Sequence, residues 1–134
     1  MYLYSMADIK KEYQPGVCNI GAAERRTRLI GGWIGLAVTL VLWAAFLLFR
    51  IAAPWRLFLF LPAMMSASGF LQARMSFCVN FGMRGVENFG DRVGKITVIE
   101  DPESKKRDRS RSYQITGYSA IIAAAIAIAG LLVP

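Results

Sequence analysis

The sequence predicts an all-α integral membrane protein with three transmembrane helices, the first two forming a tight hairpin, and a cytoplasmic loop containing a short strand. Three observations predict it. Hydrophobic residues make up 55% of the 134 residues and charged ones 19%, so apolar side chains are abundant for one small domain. Charges are absent from three long windows and crowded between them. The windows neither alternate nor stay short, so they read as helices that satisfy their own backbone in lipid, not as barrel strands.

The first segment, residues 1–28, carries Asp8, Lys10, Lys11, Glu12, Glu24, Arg25, Arg26 and Arg28 and has no apolar stretch of the kind a secretory signal needs. The first window, Leu29 to Phe49, is bounded by Arg28 and Arg50. As a helix it would extend about 31 Å, the thickness of a hydrocarbon core. The second, Leu57 to Ala73, lies between Arg56 and Arg74 and would extend about 25 Å, with Trp55, Phe77 and the two arginines anchoring its ends. Pro62 is expected to kink it. These two windows make the hairpin, residues 29–73. Residues 74–113 form a basic loop, and residues 114–134 hold the third span, Ile115 to Val133.

Orientation follows from the 16 lysines and arginines: five precede the first span, two lie in the turn from Arg50 to Arg56, and nine fall between Arg74 and Arg111. The positive-inside rule places the N-terminal segment and the basic loop in the cytoplasm and the C-terminus outside.

Gly31 and Gly35 are four apart on one helix face, with Gly32 beside them. The third span repeats the theme with Ala120, Ala124 and Ala127 and their neighbours Ala123, Ala125 and Ala129. Such small residues let helices approach closely in lipid, within the chain or between subunits; they are also simply common in membrane helices. The spans contain no Asp, Glu, Lys, Arg or His, which argues against a proton relay or charged-substrate path within the membrane.

The two cysteines, Cys18 and Cys78, fall on the cytoplasmic side near the surface, where the hairpin brings its two ends together. Three readings compete: a thiol pair activated by Arg25, Arg28, Arg74 and Arg84 for persulfide or redox chemistry, two ligands of an incomplete metal site, and two inert buried thiols. No cofactor and no metal are expected. The stretch Cys78 to Gly90 repeats an Asn-Phe-Gly triplet, which suggests glycine-dependent turns. Lys95 to Ile99 has strand propensity. Glu100 to Ser112 reads as polar and mobile, and its Lys105, Lys106, Arg107, Arg109 and Arg111 suit lipid headgroups and topology rather than nucleic acid.

The stretch from Asn19 to Gly32, NIGAAERRTRLIGG, resembles the opening of the small bacterial membrane domains grouped as DUF2892, the YgaP-type transmembrane domain, through Asn19, Ile20, Gly21, Glu24, Arg25, Arg28 and Gly32. The likeness covers about half of the chain. Here Asn19 is expected to cap a helix, Glu24 and Arg28 to pair on its surface, and the arginines to mark the bilayer boundary. The resemblance implies a bacterial inner-membrane hairpin and, through fusions to rhodanese domains, sulfur handling. The family's usual cysteine-proline-leucine-tyrosine turn after the second span is replaced by Phe77-Cys78-Val79-Asn80, and the third span has no counterpart in short members.

The expected function is a non-catalytic small subunit or accessory protein of a larger membrane assembly, with the bilayer and other subunits, or further copies of itself, as partners. The alternative is a cytoplasmic-face sulfur relay through Cys18 and Cys78. A third reading, an oligomeric pore for small uncharged or anionic solutes, requires copies to associate through the glycine face.

Overall fold

A computed structural model describes residues 12–132. Lys10, Lys11 and the predicted end of the third span at Val133 lie outside them. In chain order the elements are α1 (Ala22–Leu48), a 3₁₀ segment (Ala53–Leu59), α2 (Phe60–Met75), α3 (Val79–Arg84), β1 (Val86–Glu87), β2 (Thr97–Val98) and α4 (Pro102–Leu132). The two strands pair antiparallel, Val86 opposite Val98 and Glu87 opposite Thr97, so the strand expected within Lys95 to Ile99 exists as the two-residue edge of a minimal ribbon.

Two helices, α1 and α4, are long and apolar enough to cross a membrane, each with a window of mean hydropathy 2.1. The second apolar window does not form one long α-helix. Pro54 opens a seven-residue 3₁₀ segment, and the 16-residue α2 follows from Phe60. Pro62 therefore sits in the first turn of α2, where its missing N–H breaks no interior bond, and the kink expected there has no cause.

Helices α1 and α2 end alike. After α1, Ile51 N–H donates to the Phe46 carbonyl and Arg50 N–H to Leu47; after α2, Phe77 N–H donates to Gln72 and Ser76 N–H to Ala73. This double closure turns the chain through a left-handed residue, and here Arg50 and Ser76 occupy that position, both at φ 53°.

The α1–α2 seam is made by Gly32, Gly35 and Thr39 against Pro62, Ser66 and Gly69. A Cβ on Gly35 would stand 2.6 Å from the Ser66 nitrogen, and one on Gly69 would stand 2.6 Å from the Gly32 nitrogen. Ser66 donates across the seam to the Gly32 carbonyl at 2.9 Å, and Trp33 meets Phe70 edge-on at 5.1 Å between centroids. Gly31 has nothing within 4 Å and is not part of this seam. The expected Gly31–Gly35 pair is thus replaced by Gly32–Gly35. Steps of four, three and four carry the stripe through Arg28, Gly32, Gly35 and Thr39, whereas Gly31 is turned away from Gly32 by one residue's rotation, about 100°.

The segment expected to be mobile before the third span is helical from Pro102 onward. Asp101 is the reason. Its carboxylate accepts from the Ser104 N–H at 3.2 Å and hydroxyl at 2.7 Å, Pro102 supplies a preset φ, and Glu103 lies in the first turn, where negative charge is favoured. The Ser104 hydroxyl and the N–H donors lower the Asp101 pKa. A carboxylate with a lowered folded-state pKa stabilises above its ordinary pKa and loses that effect as pH falls through the lowered value. Asp101→Ala should therefore speed amide exchange in the first turn of α4 at neutral pH but not at strongly acidic pH. Equal exchange in the two proteins at neutral pH would remove this capping role.

Along α4 the buried positions are Ser104, Asp108, Ser112, Ile115, Ser119, Ala123, Ala127 and Gly130. Of the alanines expected to pack, Ala123 and Ala127 are buried, Ala120 and Ala124 are half-buried and Ala125 and Ala129 are exposed; Ser119 joins the buried stripe. At the far end Leu59 fills the space beside Gly130. Arg56 is buried there and donates to the Gly130 carbonyl at 3.2 Å and the Ile51 carbonyl at 3.3 Å, so it satisfies helix-end carbonyls rather than reaching outward.

Candidate functional site

The polar residues converge at the end of the bundle where α1 begins and α2 finishes. Asn19 is fully buried, and its side chain brackets the Cys78 backbone, donating to the Cys78 carbonyl at 3.1 Å and accepting from the Cys78 N–H at 2.7 Å. It therefore staples two chain segments together and does not cap α1. The residue before α1 is Gly21, which has no side-chain cap and is pressed against the Phe89 backbone.

Glu24 and Arg28 pair at 3.5 Å, as the i,i+4 spacing predicts, but not on an exposed surface, since Glu24 is 1% exposed. The Glu24 carboxylate also accepts from the Asn88 side chain at 2.9 Å and the Gly94 N–H at 2.6 Å. Asn88 is saturated: its amide donates to Glu24 and to the Arg92 carbonyl, while its oxygen accepts from the Gly90 N–H. The Asn-Phe-Gly repeat works differently from the expected pair of turns. Asn80 to Gly82 lie within α3, Gly82 is pressed against Ser112, and the left-handed glycines are Gly16, Gly85 and Gly94.

The hairpin does bring the two cysteines to one region, because Cys18 adjoins the Asn19 staple that grips Cys78. Neither cysteine is in a disulfide, and both thiols are buried, Cys18 at 0% and Cys78 at 1% exposure. Arg28 donates to the Cys78 sulfur at 2.9 Å and lies 5.8 Å above the Phe81 ring. Of the other arginines expected near the thiols, Arg25, Arg74 and Arg84 are exposed. A guanidinium at a sulfur is a feature of activated thiols, but activated thiols also need access, and here the sulfur is covered. Among the described residues no group of three or more His, Cys, Asp or Glu side chains is placed to hold a metal ion.

A second polar knot lies on α4. Asp108, surrounded in sequence by Lys105, Lys106, Arg107, Arg109 and Arg111, is fully buried and accepts from the Tyr13 hydroxyl and the Gly16 N–H, both at 2.7 Å. Burial raises the Asp108 pKa against the opposing hydrogen bonds from Gly16 and Tyr13; burial and the Asp108 carboxylate together raise that of Tyr13. Arg111 donates to the Gly16 carbonyl at 2.9 Å, so Asp108 and Arg111, nearly one turn apart, hold both backbone groups of Gly16. Ser112 lies within hydrogen-bond distance of the Val79 and Asp108 carbonyls, tying α3 to α4. Lys106, Arg107 and Arg109 are exposed, and Lys105 is half-buried over Gly85. The basic cluster is therefore not one uniform headgroup-facing surface: Arg111 has a structural duty and Asp108 sits within it.

Comparison with known protein families, with curated proteins and with solved structures returned no match. The resemblance to DUF2892 therefore rests on the sequence pattern alone.

Proposed function

We propose that the chain is a non-catalytic small integral membrane subunit or accessory protein of a larger membrane assembly. One observation carries this reading: the long apolar helices spend little of their surface on each other. Only 17% of the apolar window of α1 and 28% of that of α4 is buried within the chain, and Trp33, Ile34, Val41, Ile121 and Leu132 remain exposed. In water such faces would associate; in lipid they meet acyl chains or partner helices. The 3₁₀ segment and α2 would together rise about 38 Å, enough for a third crossing despite the shortness of α2. The exposed Arg25, Arg26, Lys106 and Arg109 all lie at the Asn19–Cys78 end, which supports a cytoplasmic N-terminus. A bacterial inner membrane is supported by the DUF2892 resemblance. The Gly32–Gly35 face is taken up by α2, so association with other subunits falls to the outward faces of α1 and α4. Extraction in mild detergent followed by mass spectrometry should recover the chain with stoichiometric membrane partners or further copies. Recovery as a lone monomer under every gentle extraction condition would end this reading.

A second reading, a thiol or persulfide relay at the cytoplasmic face, is favoured by the Arg28–Cys78 contact alone. It requires both buried thiols to become accessible. Maleimide applied to inverted membranes should modify Cys78 if the relay operates, and Cys78→Ser should abolish sulfur transfer while leaving assembly intact. No labelling of either cysteine in intact membranes would dispose of it.

A further inference from the structure

A cleft of about 330 Å³ opens between the Pro15–Gly16 turn and the polar half of α4, lined by Arg107, Ser110, Arg111 and Gln114. We propose that this cleft binds the phosphodiester of one anionic lipid headgroup, making it a discrete lipid site within the basic segment. The proposal rests on the membrane reading above and adds a place and a chemistry to it.

Three features carry it. First, Arg111 is preset. Its Nε donates to the Gly16 carbonyl at 2.9 Å and one Nη1 hydrogen goes to Gln114 Oε1 at 3.2 Å. Two of the five guanidinium donors are thereby spent on orientation, and three remain for an acceptor, in the fork geometry that suits phosphate. Second, the competing carboxylates are occupied or weak. Asp108 accepts from Tyr13 and from Gly16 on the other side of the turn. Glu103 reaches Arg107 only at 3.7 Å, with both side chains about two-thirds exposed, a pairing that an incoming phosphate can displace. Third, the depth is right. The uncharged part of α4 begins after Arg111, and Arg111 lies four residues before the buried Ile115, about 6 Å along the helix axis. That is the thickness of one headgroup layer, so an acyl chain leaving the cleft would run down beside the exposed Tyr118, Ile121 and Ile122.

Lys105 and Lys106 carry the same charge on the same turns but do not line the cleft, which makes them the control. Full-length protein in neutral detergent, analysed by native mass spectrometry, should retain phosphatidylglycerol in preference to phosphatidylcholine. Arg107→Gln, which holds no backbone group, should weaken that retention about fivefold, and Arg107→Gln with Arg111→Gln should abolish the preference, whereas Lys105→Gln with Lys106→Gln should change it less than twofold. Equal losses in the two double variants, or no preference in the unaltered protein, would overturn the site in favour of diffuse charge. Displacement of bound phosphatidylglycerol by millimolar inorganic phosphate would overturn the lipid assignment and point to a soluble phosphate. Retention of the chain in carbonate-washed membranes is scored separately: a chain that washes off defeats the membrane reading, while one that stays without a phosphatidylglycerol preference defeats this site alone.

Discussion

Gly69→Leu is expected to open the α1–α2 hairpin, with a destabilisation of about 3 kcal/mol or more. The side chain would begin 2.6 Å from the Gly32 nitrogen and 2.7 Å from the Arg28 carbonyl, both backbone atoms of a continuous helix that cannot give way locally. Separating the helices would also break the Ser66 hydrogen bond to Gly32 and expose a seam with little apolar surface of its own to repack. Gly31→Leu makes the same chemical change with nothing within 4 Å and should leave the hairpin intact. Unfolding in mixed detergent micelles, followed by circular dichroism and tryptophan fluorescence, would compare the two. Similar stabilities for the Gly69 and Gly31 variants would mean that the seam is not where the structure puts it.

The second large effect belongs to Glu24. Glu24→Ala removes an acceptor of the Asn88 amide and of the Gly94 N–H and the anion paired with Arg28; the Glu24 carboxylate is itself closed to water, while the Arg28 side chain stays 22% exposed. Removing the anion beside a half-buried cation, together with an acceptor of the Gly94 N–H and of one Asn88 amide hydrogen, costs on the order of 1–3 kcal/mol. The loss should be local: the loop from Asn88 to Gly94 unpins, and Arg28 is released from its fixed position over Phe81. Cys78 should then become faster to react with maleimide, because Arg28 sits directly on its sulfur. Amide spectra in micelles would show the loop changes, and unchanged loop resonances together with unchanged Cys78 labelling would refute this role for Glu24.

How much of this was legible beforehand differs by element. The windows behind α1 and α4 were plain, because each runs apolar on nearly all sides for the length of a membrane crossing. The start of α4 was signposted by Asp101-Pro102-Glu103-Ser104, an N-cap followed by proline, yet the basic run after it reads like a solvated tail. The ends of α1 and α2 carried no sign, since the left-handed positions hold Arg50 and Ser76 where glycine is the usual marker. Glu24 and Asp108 look like surface charges in any linear reading. Their burial depends on Asn88, Gly94, Tyr13 and Gly16, which lie dozens of positions away and meet them only through the tertiary fold. The Asn19 staple was hidden for the same reason: an asparagine three residues ahead of a helix is most simply read as a cap, and its true partner lies 59 positions further on.

Helix α4 runs unbroken for 31 residues, from the Asp101 cap to the contact of Gly130 with Leu59 and Arg56, a rod of about 46 Å. No proline follows Pro102 within it, and Gly117, at the junction of its hydrophilic and greasy halves, is helical. A lean of about 10° pivoting at one end therefore carries the other end sideways by about 8 Å, given that length. A sideways load at the Leu132 end would meet the Arg56–Gly130 bond first and, carried along the rod as by a lever, would reach the Ser112–Val79 contact and the Tyr13–Gly16 clasp toward the other end.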